Sequence, residues 1–377
     1  MYLIFLLLLI PFKYTPTYVF LFSLSLIFIL TKVRISKLES YEYLFIIYFT
    51  YSLSSILFSS DIQRSFSLVL FDILFILSYI FLFNYFKKIN LDIFLKKLYT
   101  SLKIYIYFST LYFLFGVVAY YFLNMQLDNT ANIFGLHVDD IRPRFNGLAT
   151  SPSSYGLIAI IFTFMNYTNY PHKKLDRVIA YLTMFLTISL TVYLAFLVSH
   201  LIYLFMQKRI LRLLKLSILV GLLTLIASYV IVNNEILYKI LEYRLDNLRS
   251  GTHRFYIWEE AFRYIGDDLF FGKGYNYSPI FLKHLMGENA LSSLHNVYIQ
   301  ILFEQGIFGL MLFSFFMYSL IKSSYIIALK DFHLSFILYA FIAFFIEMNS
   351  AIIIYSPNFL LLIIIVKKLN LNIQEKR

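Results

Sequence analysis

The sequence contains no cysteine, which excludes disulfide bonds, thiolate metal ligands and a cysteine nucleophile. Proline and glycine are also scarce, with 7 and 12 residues, and only 14% of the residues are charged. We find neither a proline-rich or glycine/serine-rich linker nor a repeat of fixed period. These absences predict a single polytopic domain over residues 1–377.

Apolar residues, in contrast, are in large excess. They make up 60% of the chain, aromatic residues make up 20%, and the mean hydropathy is +0.74. An ordinary soluble domain has about a quarter charged residues and under half apolar ones, so this composition predicts an all-α integral membrane protein. The first apolar run has no basic region before it and no cleavage site after it, which predicts a retained span rather than a signal peptide.

A membrane-spanning helix needs about 20 mostly apolar residues, because the hydrocarbon core is about 30 Å thick. We predict about 12 transmembrane helices with both termini in the cytoplasm. The stretch 178–205 is divided into two short spans, since two crossings are needed to place the basic residues on both sides of it in the cytoplasm. The predicted spans are residues 2–12, 17–30, 41–59, 66–86, 104–122, 154–168, 178–189, 191–205, 213–232, 297–320, 333–348 and 352–366.

The formal net charge is +11. Most lysines and arginines fall in the predicted cytoplasmic loops, as the positive-inside rule requires of a membrane protein. No dedicated basic stripe remains, and we therefore predict no nucleic-acid partner.

Two predicted external segments are long enough to hold a site, residues 124–152 and residues 233–296. The second has helical patterning at 236–248 and 254–264, which predicts a helical cap lying on the membrane. Most of the predicted external basic residues fall in these two segments.

A histidine pattern lies where the second segment meets the next span. His295-Asn296 is followed by nine residues and then by Gly306-Ile307-Phe308-Gly309, which matches H-[NSQ]-x9-G-x-x-G. This pattern resembles that of the O-antigen ligase and polymerase superfamily. On its own, His295 fits an interfacial or capping residue, and Gly306-x-x-Gly309 fits close helix packing, the role that we predict for it.

Two further segments resemble the same superfamily in the same order. Arg144-Phe145-Asn146-Gly147 with Ser151-Pro152 resembles R-x-x-G-x-x-x-[SN]-P. Arg254, Trp258 and Ala261, followed by 271–275, resemble R-x-x-x-W-x-x-A and F-G-x-G-Y, in which we predict that Gly272-Lys273-Gly274 forms a turn. The resemblance covers about 142–309, and the remaining spans match only in being hydrophobic.

The resemblance implies glycan transfer at the outer face of the bacterial cytoplasmic membrane. The donor and acceptor would be undecaprenyl-diphosphate-linked oligosaccharides, with membrane lipids and a chain-length regulator as further partners. We favour the polymerase branch, which extends O-antigen or capsular polysaccharide repeat by repeat. The alternative is a ligase that transfers the glycan to lipid A core.

The residues allow a metal-independent, inverting mechanism without a cofactor. A departing diphosphate needs fixed positive charge beside the low-dielectric bilayer, and arginine supplies it through a planar fork. Arg144 and Arg254 are the main candidates, Arg142 is a third, and His295 is the candidate general base. Asn296 and Trp258 are supporting candidates.

Other interpretations of these residues and of the chain remain open. The arginines also suit loop-acid contacts, lipid phosphates or snorkelling at the interface. Asp72, Glu304 and Glu347 lie in or near apolar spans and are either functional or structurally paired. A lipid-linked glycan transporter is a rival function, although it should show internal repeats and broken helices near the midplane. A metal-dependent glycosyltransferase of another membrane fold should carry an acid in its first external loop, which is absent from residues 13–16.

Overall fold

The computed structural model describes residues 1–9, 38–59, 62–123, 125, 130–139, 142–209, 211, 254–287, 293–349 and 356–375. The described chain is mainly α-helical, which confirms the predicted helical class. Its helices are α1 (Tyr2–Leu9), α2 (Ser40–Ser54), α3 (Ile62–Lys87), α4 (Leu91–Tyr121), α5 (Pro152–Asn169), α6 (Lys174–Leu186), α7 (Leu190–Met206), α8 (Arg254–Ile265), α9 (Ser278–Met286), α10 (Val297–Lys330), α11 (Phe336–Glu347) and α12 (Pro357–Glu375).

The predicted spans within the described residues coincide with helices. Two helices, α4 and α10, are long and apolar enough to cross a membrane by themselves. The division of 178–205 is also present, because α6 ends at Leu186 and α7 begins at Leu190 after Ile188 takes a left-handed φ of 47°. The predicted spans 17–30 and 213–232 and the predicted helix 236–248 lie outside the described residues.

A small antiparallel sheet lies between α4 and α5. Its strands pair in the order β1 (Thr130–Ile133), β2 (Leu136–Asp139) and β3 (Arg142–Phe145). The predicted external segment 124–152 therefore contains a strand at Arg142 and Arg144. The β1–β2 turn has positive φ at both central residues, Phe134 and Gly135, as a two-residue hairpin turn requires. Phenylalanine is not among the residues from which such a turn is normally predicted.

The core of the bundle is built from aliphatic and aromatic side chains of α5, α10, α11 and α12. In α12 every residue from Pro357 to Leu369 is buried. Phe359 of α12 stacks on Phe344 of α11 with ring centroids 4.7 Å apart. The central position of α11 and α12 explains why their sequences are apolar on all sides rather than on one stripe.

Polar contacts at one end of the bundle join helices whose loops are rich in lysine. Buried Lys367 pairs with buried Glu42, which also accepts from Tyr79. Lys103 and Asp176 pair at 3.0 Å. The sheet follows the other end of α4, and the N–H of Tyr275 donates to the carbonyl oxygen of Ser55 just after the other end of α2. The ion pairs therefore group the predicted cytoplasmic segments together. The orientation across the membrane stays a prediction.

Candidate active site

Above the bundle, α8, α9 and the first residues of α10 form a small second core, which we call the cap. Its buried members are Ile257, Ala261, Ile265, Phe281, Leu282, Leu294 and Phe303. The α8 members recur at intervals of four residues, so one face of α8 packs inward. Both Arg254 and Trp258 lie on α8 one turn apart, which fixes their separation through the helix.

The peptide around His295 is held on both sides. The indole nitrogen of Trp258 donates to the carbonyl oxygen of Leu294 at 2.8 Å. The side chain of Asn296 accepts from the backbone N–H groups of Tyr298 and Ile299 at 2.9 and 3.1 Å, and so caps α10. Between these two contacts His295 has a left-handed φ of 53°, an uncommon conformation for a residue other than glycine.

Arg254 and His295 are electrostatic neighbours. Burial lowers the pKa of His295, and the positive charge of Arg254 lowers it further. Burial also lowers the pKa of Arg254, although a guanidinium stays charged at physiological pH. No carboxylate of the described residues pairs with Arg254. The arrangement keeps a neutral imidazole, which is a proton acceptor, beside an arginine that can receive an anion.

Below His295, α10 is interrupted at Gly306, which has φ 68° and ψ −170°. The segment 270–275, which we call the strap, crosses α10 at this point. A Cβ atom on Gly306 would collide with the backbone of Phe270 and Phe271, and one on Gly272 would collide with the backbone of α10. Gly306 therefore interrupts the helix so that two backbones can meet, which differs from the helix-packing role predicted for it.

The strap also satisfies the backbone of α10 at this interruption. Carbonyl groups at a helix end need new donors when the helical ladder stops. The carbonyls of Phe303, Glu304 and Gln305 accept from the N–H of Lys273 at 2.9 Å, the N–H of Gly274 at 2.9 Å and the hydroxyl of Tyr51 at 2.9 Å. The predicted turn at Gly272-Lys273-Gly274 is thus a non-helical segment with a definite partner. Gly309, one turn further on, approaches Tyr51 and fits the predicted packing role.

Buried carboxylates lie beneath the strap. Glu304 accepts from the backbone N–H of Ser278 at 3.3 Å and from Gln300 at 3.1 Å. Asp72 on α3 accepts from the hydroxyl of Tyr275 at the end of the strap. These hydrogen bonds tie the cap to the bundle, and they favour the structural interpretation of Asp72 and Glu304 over a catalytic one.

Arg144 and Arg142 come from the sheet rather than from the cap. The Nε atom of Arg144 donates to the carbonyl oxygen of Thr187 at 3.0 Å, where α6 ends. Arg142 begins β3, and its side chain lies outside the described part of the structure. Ser151 caps α5 by accepting from the N–H of Ser154 at 3.2 Å. The described contacts thus hold Trp258 and Asn296 on either side of His295, with Arg254 as an electrostatic neighbour one turn from Trp258 on α8. They place Arg144 against the α6–α7 junction.

The fold and site describe a helical membrane protein with a capped candidate site. Residues 178–314 match the family model described as O-antigen ligase. This match supports the resemblance to the superfamily of O-antigen ligases and polymerases that the motifs indicate. The match includes the cap site and the interruption of α10, begins after Arg144, and does not separate the two branches. A search among curated proteins finds no match.

Proposed function

We propose that the protein polymerises undecaprenyl-diphosphate-linked oligosaccharide repeat units into O-antigen or capsular polysaccharide at the outer face of the cytoplasmic membrane. One observation carries the proposal. Within the part of the chain that matches the O-antigen ligase family, Arg254 and a neutral, partly buried His295 lie together in the cap. This pair supplies a cation for a departing diphosphate and a base for an attacking hydroxyl.

In the proposed step, a sugar hydroxyl of the acceptor attacks the anomeric carbon of the donor. The new glycosidic C–O bond forms as the bond from that carbon to the diphosphate oxygen breaks, so the anomeric configuration inverts. His295 takes the hydroxyl proton, and the diphosphate leaves with the bonding electron pair. Arg254 binds the diphosphate, with Arg144 and Arg142 as further candidates for contacts to it.

Binding of the donor strengthens the base in this mechanism. In the free protein the charge of Arg254 lowers the pKa of His295, and a bound diphosphate compensates that charge. The pKa of His295 therefore rises in the complex, where the proton is transferred. No metal is required for either role, and the proposed reaction persists in the presence of a chelator.

The proposal can be tested in cells that lack the gene, by the banding pattern of their surface glycan. Complementation uses the wild-type chain, His295→Ala and Arg254→Ala at matched expression. The matched controls are Arg263→Ala, on the same helix but exposed and paired with glutamates, and His284→Ala, an exposed histidine of α9. Loss of a general base typically costs about 10²- to 10⁴-fold in rate, which is enough to remove long chains.

The polymerase is supported if the deletion strain carries single repeats on the acceptor, and if long chains return with the wild type and both controls but not with the site variants. Loss of all surface glycan with accumulation of long lipid-linked chains indicates the ligase instead. Near-normal chains with His295→Ala or Arg254→Ala contradict the proposed mechanism.

A further inference from the structure

We infer that the outer boundary of the membrane lies at the interruption of α10, and that Phe270 and Phe271 of the strap insert into the lipid beside Phe308. The inference identifies a surface of the cap that binds the bilayer. It does not depend on the proposed reaction.

The length of α10 shows that part of the helix lies outside the hydrocarbon core. The helix has 34 residues, which correspond to about 51 Å, whereas the hydrocarbon core is about 30 Å thick. The 23 residues from Phe308 to Lys330 correspond to about 35 Å, which is close to the thickness of the core. A span that begins at Phe308 leaves 297–305 outside the core, whereas the span 297–320 predicted from the sequence includes that stretch, and the exposure of the helix distinguishes the two.

The exposure of α10 changes at the same place. No residue of 297–305 is exposed, because the cap covers one side of this stretch and the bundle covers the other. From Phe308 onward an exposed apolar stripe follows one face of the helix. Its members are Phe308, Met311, Phe315 and Tyr318, at the three- and four-residue spacing of a single helical face. A stripe of this kind faces lipid in a spanning helix.

The strap continues that stripe upward. Phe270 and Phe271 are 57% and 56% exposed, and their ring centroids lie 6.2 and 5.5 Å from that of Phe308. Three large aromatic rings thus lie together at the top of the lipid-facing stripe. Aromatic side chains concentrate at the boundary between hydrocarbon and headgroups, so the bilayer is the occupant that this patch fits.

This boundary sets the height of the candidate site. His295 precedes Gly306 by eleven positions, which places it at most about 16 Å above the interruption. At that height a base faces the headgroup region and the glycan beyond it rather than the acyl chains.

The absence of cysteine makes a direct test possible, since each introduced cysteine is the only one in the chain. Phe270→Cys, Phe271→Cys and Phe308→Cys are labelled with a nitroxide in the full chain, reconstituted in phosphatidylethanolamine/phosphatidylglycerol vesicles. Collision rates with oxygen, which enters lipid, and with a nickel complex, which stays in water, are then compared. Tyr318→Cys is the control within the stripe, and Glu259→Cys, on the exposed side of α8, is the control in water.

We expect the ratio of oxygen to nickel collisions at the three test positions to be several-fold above that of Glu259→Cys and below that of Tyr318→Cys. A ratio equal to that of Glu259→Cys would show a surface in water and overturn the inference. Protection from both reagents would show that protein, such as a second copy of the chain, covers the patch, and would overturn it too. Because all three side chains are exposed, folding is retained, and helical circular dichroism of each labelled chain verifies it.

Discussion

Two glycines offer a measure of the contact between the strap and α10. Gly306 and Gly287 have nearly the same backbone conformation, with φ 68° and ψ −170° in one and φ 81° and ψ −163° in the other. This region is almost restricted to glycine and costs other residues about 1–3 kcal/mol. Among the described residues, a Cβ on Gly287 meets nothing within 4 Å, whereas one on Gly306 meets the backbone of Phe270 and Phe271. Substitution by alanine therefore has the same conformational cost at both glycines, whereas only the substitution at Gly306 also causes a steric clash.

We expect Gly287→Ala to lower the free energy of unfolding by about 1–3 kcal/mol from strain alone. Gly306→Ala carries the same cost and adds about 1–3 kcal/mol of overpacking, because backbone atoms of the strap cannot rotate away as a side chain would. The total for Gly306→Ala is about 2–6 kcal/mol.

Trp258 is the one tryptophan of the chain, and its fluorescence reports on the cap during denaturant titration in detergent micelles. The informative quantity is the difference between the two alanine variants in the free energy of unfolding. If the two variants agree within about 0.5 kcal/mol, the strap does not press on α10 at Gly306, and the account of the interruption is wrong.

Three further perturbations test the site and the bundle. Arg254→Gln removes one of the two effects that lower the pKa of His295, so this pKa rises. We expect the acidic limb of the pH profile of kcat/KM to move to higher pH, although kcat/KM itself falls. Trp258→Phe keeps an aromatic ring but removes the hydrogen bond that holds the peptide before His295, and a loss of about 0.5–1.5 kcal/mol lowers kcat/KM by about two- to twelve-fold. Lys367→Met leaves Glu42 buried without its cation and costs about 3–5 kcal/mol of stability in denaturant titration. The double variant Lys367→Met/Glu42→Gln recovers most of that loss.

Each of these predictions has an outcome that would contradict it. An unmoved acidic limb in Arg254→Gln would contradict the electrostatic pairing, and Arg263→Gln, on the outer side of the same helix, should leave the limb in place. Unchanged kinetics in Trp258→Phe would show that the indole hydrogen bond does not position His295. Equal stability of the single and double lysine variants would show that Glu42 needs no buried partner.

The sequence predicts the helices well because a long apolar run is a local property of the sequence. The break between α6 and α7 could also be predicted, because two crossings are needed to place the basic residues on both sides of 178–205 in the cytoplasm. The grouping of Arg254, Trp258 and His295 could also be anticipated, because the two segments that contain them resemble motifs of the same superfamily. None of these inferences required knowledge of a distant contact.

The sheet and the interruption of α10 could not be anticipated in this way. The β1–β2 turn uses Phe134 at a position where asparagine or glycine normally marks a hairpin, and the strands are only four residues long. Gly306 lies in an apolar run for which the sequence predicts one continuous helix. Its left-handed conformation follows from the strap, which is more than thirty positions earlier in the chain, and no local signal encodes that approach.

The spacing of the histidine pattern acquires a physical meaning from the interruption. Nine residues separate Asn296, which caps α10, from Gly306, where the strap crosses, and they form about 2.5 helical turns with a rise of about 13 Å. Both ends of this stretch are held by hydrogen bonds. The side chain of Asn296 accepts from the backbone at its start, and the backbone of the strap donates to carbonyl groups at its end. One residue more or fewer in this stretch would rotate the start of α10, and the cap that packs on it, by about 100° relative to the strap. The number of residues between Asn296 and Gly306 thus relates the orientation of the cap, which contains Arg254 and His295, to the position of the strap.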